Sequence, residues 1–313
     1  MREDSPPPDH RSGFVAVAGK PNVGKSTLIN RFVGQSIAAV SARPQTTQRN
    51  QLGIVTRPLA QAIFVDTPGL HRPHHKLGHR MNTAAEHAIR DADLVLVVLD
   101  ASHPADEEDR RVAEGVSAGA RAHPVVVALN KADAASTETS TACRRALFEW
   151  LPASEVWPVS ALQGEGVAEL LDRLLLLLPQ GPIYFPEDQV TDAYERDLAA
   201  ELIRAACLHY LRQEVPYSIA VYVEEFRERA TGGAYLAATL YVERESQKAI
   251  VVGTRGQMMK QIGTRARLEI EALTGRRVYL DLRVKVQPGW RDDEGALERF
   301  GYAPQNRDRR PGA

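Results

Sequence analysis

From Phe14 onward the chain alternates short apolar runs with amphipathic stretches. Phe14 to Ala18, Ala62 to Asp66, Leu94 to Asp100, Val125 to Asn130 and Val156 to Ser160 read as buried strands, each ending in a polar or glycine-rich segment. Strands separated by helices in this way predict an α/β domain with a mostly parallel sheet, and ligands of such sheets bind at the strands' C-terminal ends. VAELLDRLLLLL reads as the last helix of this domain, packed on the sheet, after which Pro179, Gly181, Pro182 and Pro186 break the helical pattern. A helix from about Asp192 to Gln213, β-rich runs at Tyr217 to Glu225 and Tyr235 to Glu243, a helix to about Thr274 and the strand YLDLRVKV then predict a compact α+β domain. The expected organisation is a flexible tail over 1–12, a nucleotide domain over 13–180, a linker over 181–191, a second domain over 192–290 and a C-terminal helix or tail over 291–313.

Composition narrows this little. The 313 residues are 43% hydrophobic and 25% charged with a net charge of −1, so bulk charge selects no partner. Cys143 and Cys207 are the only cysteines and lack metal-ligand spacing, which suits a reducing cytosol. The polar, proline-rich opening lacks the apolar core of a secretory signal, and a cytoplasmic location is expected.

Chemistry enters with GKPNVGKS, which fits G-x-x-x-x-G-K-[ST] between the strand FVAVA and the helical stretch STLINRFV. Gly19 and Gly24 allow a tight loop in which the backbone of Lys20, Pro21, Asn22 and Val23, with the helix start through Thr27, faces phosphate. Lys25 neutralises the β and γ phosphates, and Ser26 offers a hydroxyl to Mg²⁺. DTPG, with Asp66, Thr67, Pro68 and Gly69, ends a strand where a carboxylate can hold Mg²⁺ through water and the Gly69 N–H can meet the γ-phosphate. NKAD is sharper: Asp133 can accept from guanine's ring N–H and exocyclic amine, donors adenine lacks, while Asn130 bonds locally and Lys131 lies over the base. Ser160, Ala161 and Leu162 offer a backbone N–H to the guanine carbonyl.

The set resembles the translation-factor-related small GTPases over the first 180 residues or so. That resemblance implies a loop threonine on Mg²⁺ and the γ-phosphate, and PQTTQRN offers Thr46 and Thr47, with Thr47 preferred. Ser26, Thr47 and Asp66 are then the metal set, and Asn22, Lys25, Thr47 and Gly69 the catalytic one. Where Ras-like enzymes place a water-orienting glutamine, this chain has Leu70, which can neither orient nor deprotonate water. GTPases with an apolar residue there often carry a loop asparagine that helps bind K⁺; Asn22 matches it, and a loop-shaping role is the alternative.

Between Arg244 and Lys285 lie ten Lys or Arg and four acids, +6 against −7 for the remainder, the footprint of a nucleic-acid surface. Within it Gly253, Thr254, Arg255 and Gly256 fit the GxxG loop of KH domains, whose glycines let the backbone approach single-stranded nucleic acid. Lys248, Lys260 and Arg265 join that loop as the expected RNA contacts. DTPGLH, PQTT, QEVPYS, YVERESQKAIVVG and VKVQPGWRDDE together resemble the Era family across nearly the whole chain. This implies a P-loop GTPase with a type II KH domain, a monomer using GTP, GDP and Mg²⁺, with K⁺ as a further candidate. It also implies binding near the 3′ end of 16S-type ribosomal RNA, assistance to small-subunit assembly, and peripheral contact with the inner face of the cell membrane in some settings. Two positions depart from the family pattern: Gln48 replaces the usual arginine after the paired threonines, and Met258 a common basic residue after GxxG. The rival readings are an RNA-modifying GTPase, for which no second active-site motif appears, and a membrane-recruited signalling GTPase whose basic face meets anionic lipid.

Overall fold

The structure is a computed structural model that describes residues 7, 9–39, 47–70, 73, 75–120, 123–152, 154–229 and 232–302. The first domain is built on six strands: β1 (Arg11–Ala18), β2 (Gln51–Arg57), β3 (Ala60–Asp66), β4 (Leu94–Asp100), β5 (Val125–Asn130) and β6 (Glu155–Pro158). Their order is β2-β3-β1-β4-β5-β6, parallel except for β2, which pairs antiparallel with β3. Helices α1 (Lys25–Val33), α2 (Lys76–Asp91), α3 (Glu107–Gly119), α4 (Thr137–Trp150) and α5 (Val167–Leu177) complete it. Central strands such as LVLVVLD are buried on both faces, so their sequences are continuous apolar runs. Leu170, Leu171, Leu174 and Leu175 of α5 are buried against the sheet, as the pattern predicted.

Several expected boundaries differ; β6, expected as a buried strand over Val156 to Ser160, runs Glu155–Pro158 and is only half-buried. β1 starts at Arg11, three residues ahead of the expected strand start at Phe14 and two ahead of the expected domain edge, because Arg11 and Ser12 bond to Leu59 and Pro179. β2 was absent from the predicted strands: it is an edge strand with polar ends, and only its centre, Leu52 to Val55, is buried.

The connection between the domains is strapped to the sheet edge. Gln61 Oε1 accepts from Tyr184 N at 2.8 Å and Phe185 N at 3.0 Å, and Ile54 N donates to Val190 O at 2.8 Å. The second domain comprises α6 (Glu195–Tyr210), β7 (Ala220–Glu228), β8 (Ala234–Val242), α7 (Glu245–Val252), α8 (Gln257–Thr274), β9 (Val278–Val286) and α9 (Glu294–Arg299). β8 is central, antiparallel to β7 and parallel to β9, and α6 and α8 pack with one sheet face around Leu236, Leu240, Ile262 and Ile270. Both cysteines are free and buried, and burial pushes the Cys207 thiol up to about 12.

Residues 291–302 leave no loose tail. Trp290, Leu297, Phe300 and Tyr302 close over Leu77 and Met81 of α2, forming a core between the domains. Leu77 N donates to Arg291 O at 3.0 Å and Lys76 N to Asp292 Oδ1 at 2.9 Å.

Candidate nucleotide site and glycine loop

The loop between β1 and α1 needs its glycines for separate reasons. A Cβ on Gly24, at φ +99°, would lie 2.3 Å from Asn130 Nδ2, and one on Gly19 would lie 2.5 Å from Val98 O. Asn22 is exposed at φ 67°, a left-handed conformation that asparagine tolerates better than most side chains. Lys25 is buried, and its Nζ donates to Gly19 O at 3.0 Å and Lys20 O at 3.1 Å. The Lys20 side chain turns away from this cradle, so only its backbone faces the phosphate position.

Beside Lys25 the three expected metal ligands converge. Ser26 Oγ donates to Asp66 Oδ2 at 2.7 Å, Thr47 Oγ1 donates to the same oxygen at 3.1 Å, and the two hydroxyls lie 3.0 Å apart. Asp66 is buried, and its Oδ1 has no hydrogen-bond partner among the described residues. An all-oxygen set around an orphaned buried carboxylate oxygen fits Mg²⁺. Thr46 lies outside the described residues. Thr67 serves the scaffold, donating to Val17 O at 2.7 Å. Gly69 approaches the loop closely, since a Cβ there would lie 2.7 Å from Pro21 N. Leu70 points elsewhere, lining a groove between α2 and α3 with Ile89 and Gly115.

Burial sets the electrostatics here. It pushes the Lys25 ammonium down to about 8 against the opposing pull of Asp66, and it raises the Asp66 carboxyl above its usual range against Lys25, Ser26 and Thr47. Phosphate and Mg²⁺ supply the missing counter-charges. Bound phosphate keeps Lys25 protonated, so above pH 8 binding takes up a proton that the free protein has lost. We therefore expect GTP affinity to be flat below pH 7 and to fall by about tenfold per unit well above pH 8. Titration with a fluorescent GDP between pH 7 and 9.5 checks this; a flat curve contradicts it.

The base side is tied to the phosphate side through Asn130. This buried residue donates from Nδ2 to Val23 O at 2.8 Å and accepts at Oδ1 from Ala161 N at 2.9 Å. The Ala161 N–H, one of the donors expected to meet guanine, is thus engaged by Asn130. Ser160 is buried and Leu162 exposed. Lys131 adopts φ 60° and reaches Asp100 Oδ2 at 2.6 Å, while Asp133 is exposed at the strand end where a base would enter. Arg31 was missed in the sequence: its guanidinium holds Ala161 O at 2.9 Å and Leu162 O as well. A basic residue in the last turn of α1 gives no motif to find.

Gln48, the first departure, has a definite role. It is buried, and Tyr302 Oη donates to its Oε1 at 2.6 Å. Arg49 follows, stacked 4.9 Å over the Tyr302 ring and bonded to Phe300 O. The segment carrying Thr47 is thereby held by the second domain.

In that domain, α7 is capped by Gly253, where a Cβ would lie 2.6 Å from Met258 Cβ. The Met258 side chain is half-buried against the core of the second domain. Thr254, Arg255 and Lys260 are exposed, and among the described residues Arg255 and Lys260 form no ion pair. Lys248 pairs with Glu245 at 3.9 Å and Arg265 with Glu269 at 2.9 Å. Several of the ten basic residues are already paired with acids: Arg276 with Glu195 and Glu228, and Arg283 with Asp281 at 2.9 Å. The sequence sum therefore overstated the charge available at the loop.

Known proteins resemble this chain in both of its domains. Residues 14–131 match the family described as 50S ribosome-binding GTPase, and residues 214–291 match the KH domain family. GTPase Era of Thermotoga petrophila is 47% identical, covering 91% of this chain and 94% of its own, and that of Geobacter metallireducens is 45% identical, covering 93% and 98%. A crystal structure of Era with MgGDPNP and nucleotides 1506–1542 of 16S ribosomal RNA is 37% identical, with a TM-score of 0.88 over 94% of this chain and 99% of its own. A single-residue variant of Aquifex aeolicus Era bound to GDP·AlF4⁻ superposes with a TM-score of 0.87 at 37% identity, covering 94% and 99%.

Proposed function

Since the chain belongs to the Era family of GTPases, we propose that it is a GTP-hydrolysing switch whose KH domain takes the 3′ end of small-subunit ribosomal RNA during assembly of that subunit. The observation that carries the reading is the pairing, in one chain, of a collected Ser26–Thr47–Asp66 site with an exposed GxxG loop. Lys25 meets the β and γ phosphates, Ser26, Thr47 and Asp66 hold Mg²⁺, and Asp133 selects guanine. Bound Mg²⁺ neutralises charge developing on the phosphates. Thr254 and Arg255 present backbone and cation to single-stranded RNA, and Lys260 extends the contact along α8. Crosslinking in cells followed by sequencing of the bound RNA tests the assignment. The small-subunit 3′ end should be enriched for the natural protein and depleted for Arg255→Glu/Lys260→Glu; no enrichment for the natural protein overturns it. These substitutions are preferable to one at Gly253, which would collide with Met258.

The residue after Gly69, Leu70, offers no group to orient water and lines the α2–α3 groove. We assign the charge role to K⁺ held with the help of Asn22, whose exposed loop position supports the reading. Turnover should be several-fold faster in KCl than in NaCl, an effect reduced in Asn22→Ala; equal rates in the two salts refute it. Among the described residues no helix is long and apolar enough to cross a membrane.

A further inference from the structure

Lys20 is the second residue of the phosphate loop, yet its side chain leaves the loop for the N-terminus of α3. Its Nζ lies 2.7 Å from Asp106 Oδ2 and 2.8 Å from Asp109 Oδ2. Asp109 is buried, and its Oδ1 has no hydrogen-bond partner among the described residues. Both carboxylates also cap α3: Asp106 Oδ1 accepts from Glu108 N at 2.9 Å and Asp109 N at 3.1 Å, and Asp109 Oδ2 accepts from Asp106 N at 3.1 Å. Burial works to lower the Lys20 pKa, but the two carboxylates together raise it, so the ammonium is held charged.

The backbone of the same residue faces the opposite way. Lys20 O and Gly19 O accept the two hydrogen bonds of Lys25 Nζ, at 3.1 and 3.0 Å. One residue thus joins a carboxylate pair at the start of α3, with Asp109 buried and Asp106 exposed, to Lys25.

We propose that Lys20 is a positioning residue for GTP binding and hydrolysis, anchored by Asp106 and Asp109 so that the first carbonyls of the phosphate loop aim Lys25. A neutral side chain at position 20 strands a buried carboxylate and frees the loop from α3 at once. An arginine can span the same two carboxylates and keep the anchor. The inference rests on the phosphate-loop reading of Gly19 to Ser26, which Lys25→Ala tests separately by loss of GTP binding.

The experiment compares fluorescent GDP affinity, single-turnover GTP hydrolysis and thermal melting for Lys20→Met, Lys20→Arg, Asp106→Asn/Asp109→Asn and the triple variant. Lys20→Met should lower kcat/KM for GTP by about tenfold, within the roughly hundredfold that a 1 Å misplacement can cost, with kcat reduced as well as affinity. Lys20→Arg should restore most of it. The Asn pair should reproduce the loss, and adding Lys20→Met to that pair should cost little more, since all three act through one contact. The preference for GTP over ATP should stay unchanged, because Asp133 is untouched. A lowered melting temperature with unaltered kinetics of the folded protein would show a purely structural pair and overturn the proposal, as would additive losses in the triple variant. Should Lys20→Met not fold, the isosteric Asn pair carries the same test.

Discussion

Replacing Gly24 by alanine is expected to abolish useful guanine-nucleotide binding, weakening it by about 100-fold or more. The loss has two sources. At φ +99° an alanine pays for a left-handed backbone, on the order of 1 to 2 kcal/mol. Its Cβ would also occupy the space 2.3 Å from Asn130 Nδ2, displacing the amide from the Val23 carbonyl. A buried hydrogen bond broken with its partners left unpaired costs about 1 to 3 kcal/mol. Together these come to about 2 to 5 kcal/mol, and at about 1.4 kcal/mol per tenfold in affinity the middle of that range exceeds 100-fold. The effect should reach the base as well as the phosphates, because Asn130 Oδ1 also fixes Ala161. Titration with fluorescent GDP, with circular dichroism to confirm folding, provides the measurement; affinity within tenfold of the natural protein refutes the prediction.

Asp133→Asn should cost a similar factor through a different route. A carboxylate opposes two guanine donors with two acceptors, whereas an amide sets one donor against a donor. Sites that read a ligand by paired hydrogen bonds lose discrimination by several orders of magnitude when the pairing is broken. GTP affinity should therefore fall by about 100-fold or more, while xanthine nucleotides, which carry a carbonyl where guanine has its amine, should gain. Asp133 is exposed in this structure, so the folded state should be little affected. Competition between GTP and XTP decides the matter; unchanged selectivity would remove Asp133 from the site.

Most of the strands that carry the site were legible because they are buried on both faces and write continuous apolar runs, β6 being only half-buried. The phosphate loop was legible because its glycines and lysine are contiguous in sequence. β2 was not, since an edge strand with polar ends shows little periodicity. The contacts that organise the site were harder still. Asn130 was seen as a local bonder, but its partners, Val23 and Ala161, come from two other loops. Arg31 offers no pattern, being a single cation in a helix that predicts only amphipathicity. Gln48 was recognisable as a departure but not as a partner of Tyr302, because 254 residues separate them. Lys20 was placed among nucleotide-binding residues by position alone, and the structure splits it into a backbone that faces the lysine and a side chain that faces away. Charge counting failed at the glycine loop for a related reason: summing a segment cannot show which arginines already have acidic neighbours.

The seam between the domains has a thermodynamic side. Phe300 and Tyr302 are buried at once against their own domain and against the segment that supplies Thr47, so opening either half exposes the aromatic cluster shared with the other. The halves should then unfold as one cooperative unit, seen as a single calorimetric transition. Ligand at free concentration c that binds only the native state stabilises it by RT ln(1 + c/Kd), about 2.7 kcal/mol at a hundredfold excess over Kd. Guanine nucleotide would thus tighten a KH domain it never touches, and the RNA-binding half would register the occupancy of the first domain as a change in its own resistance to opening.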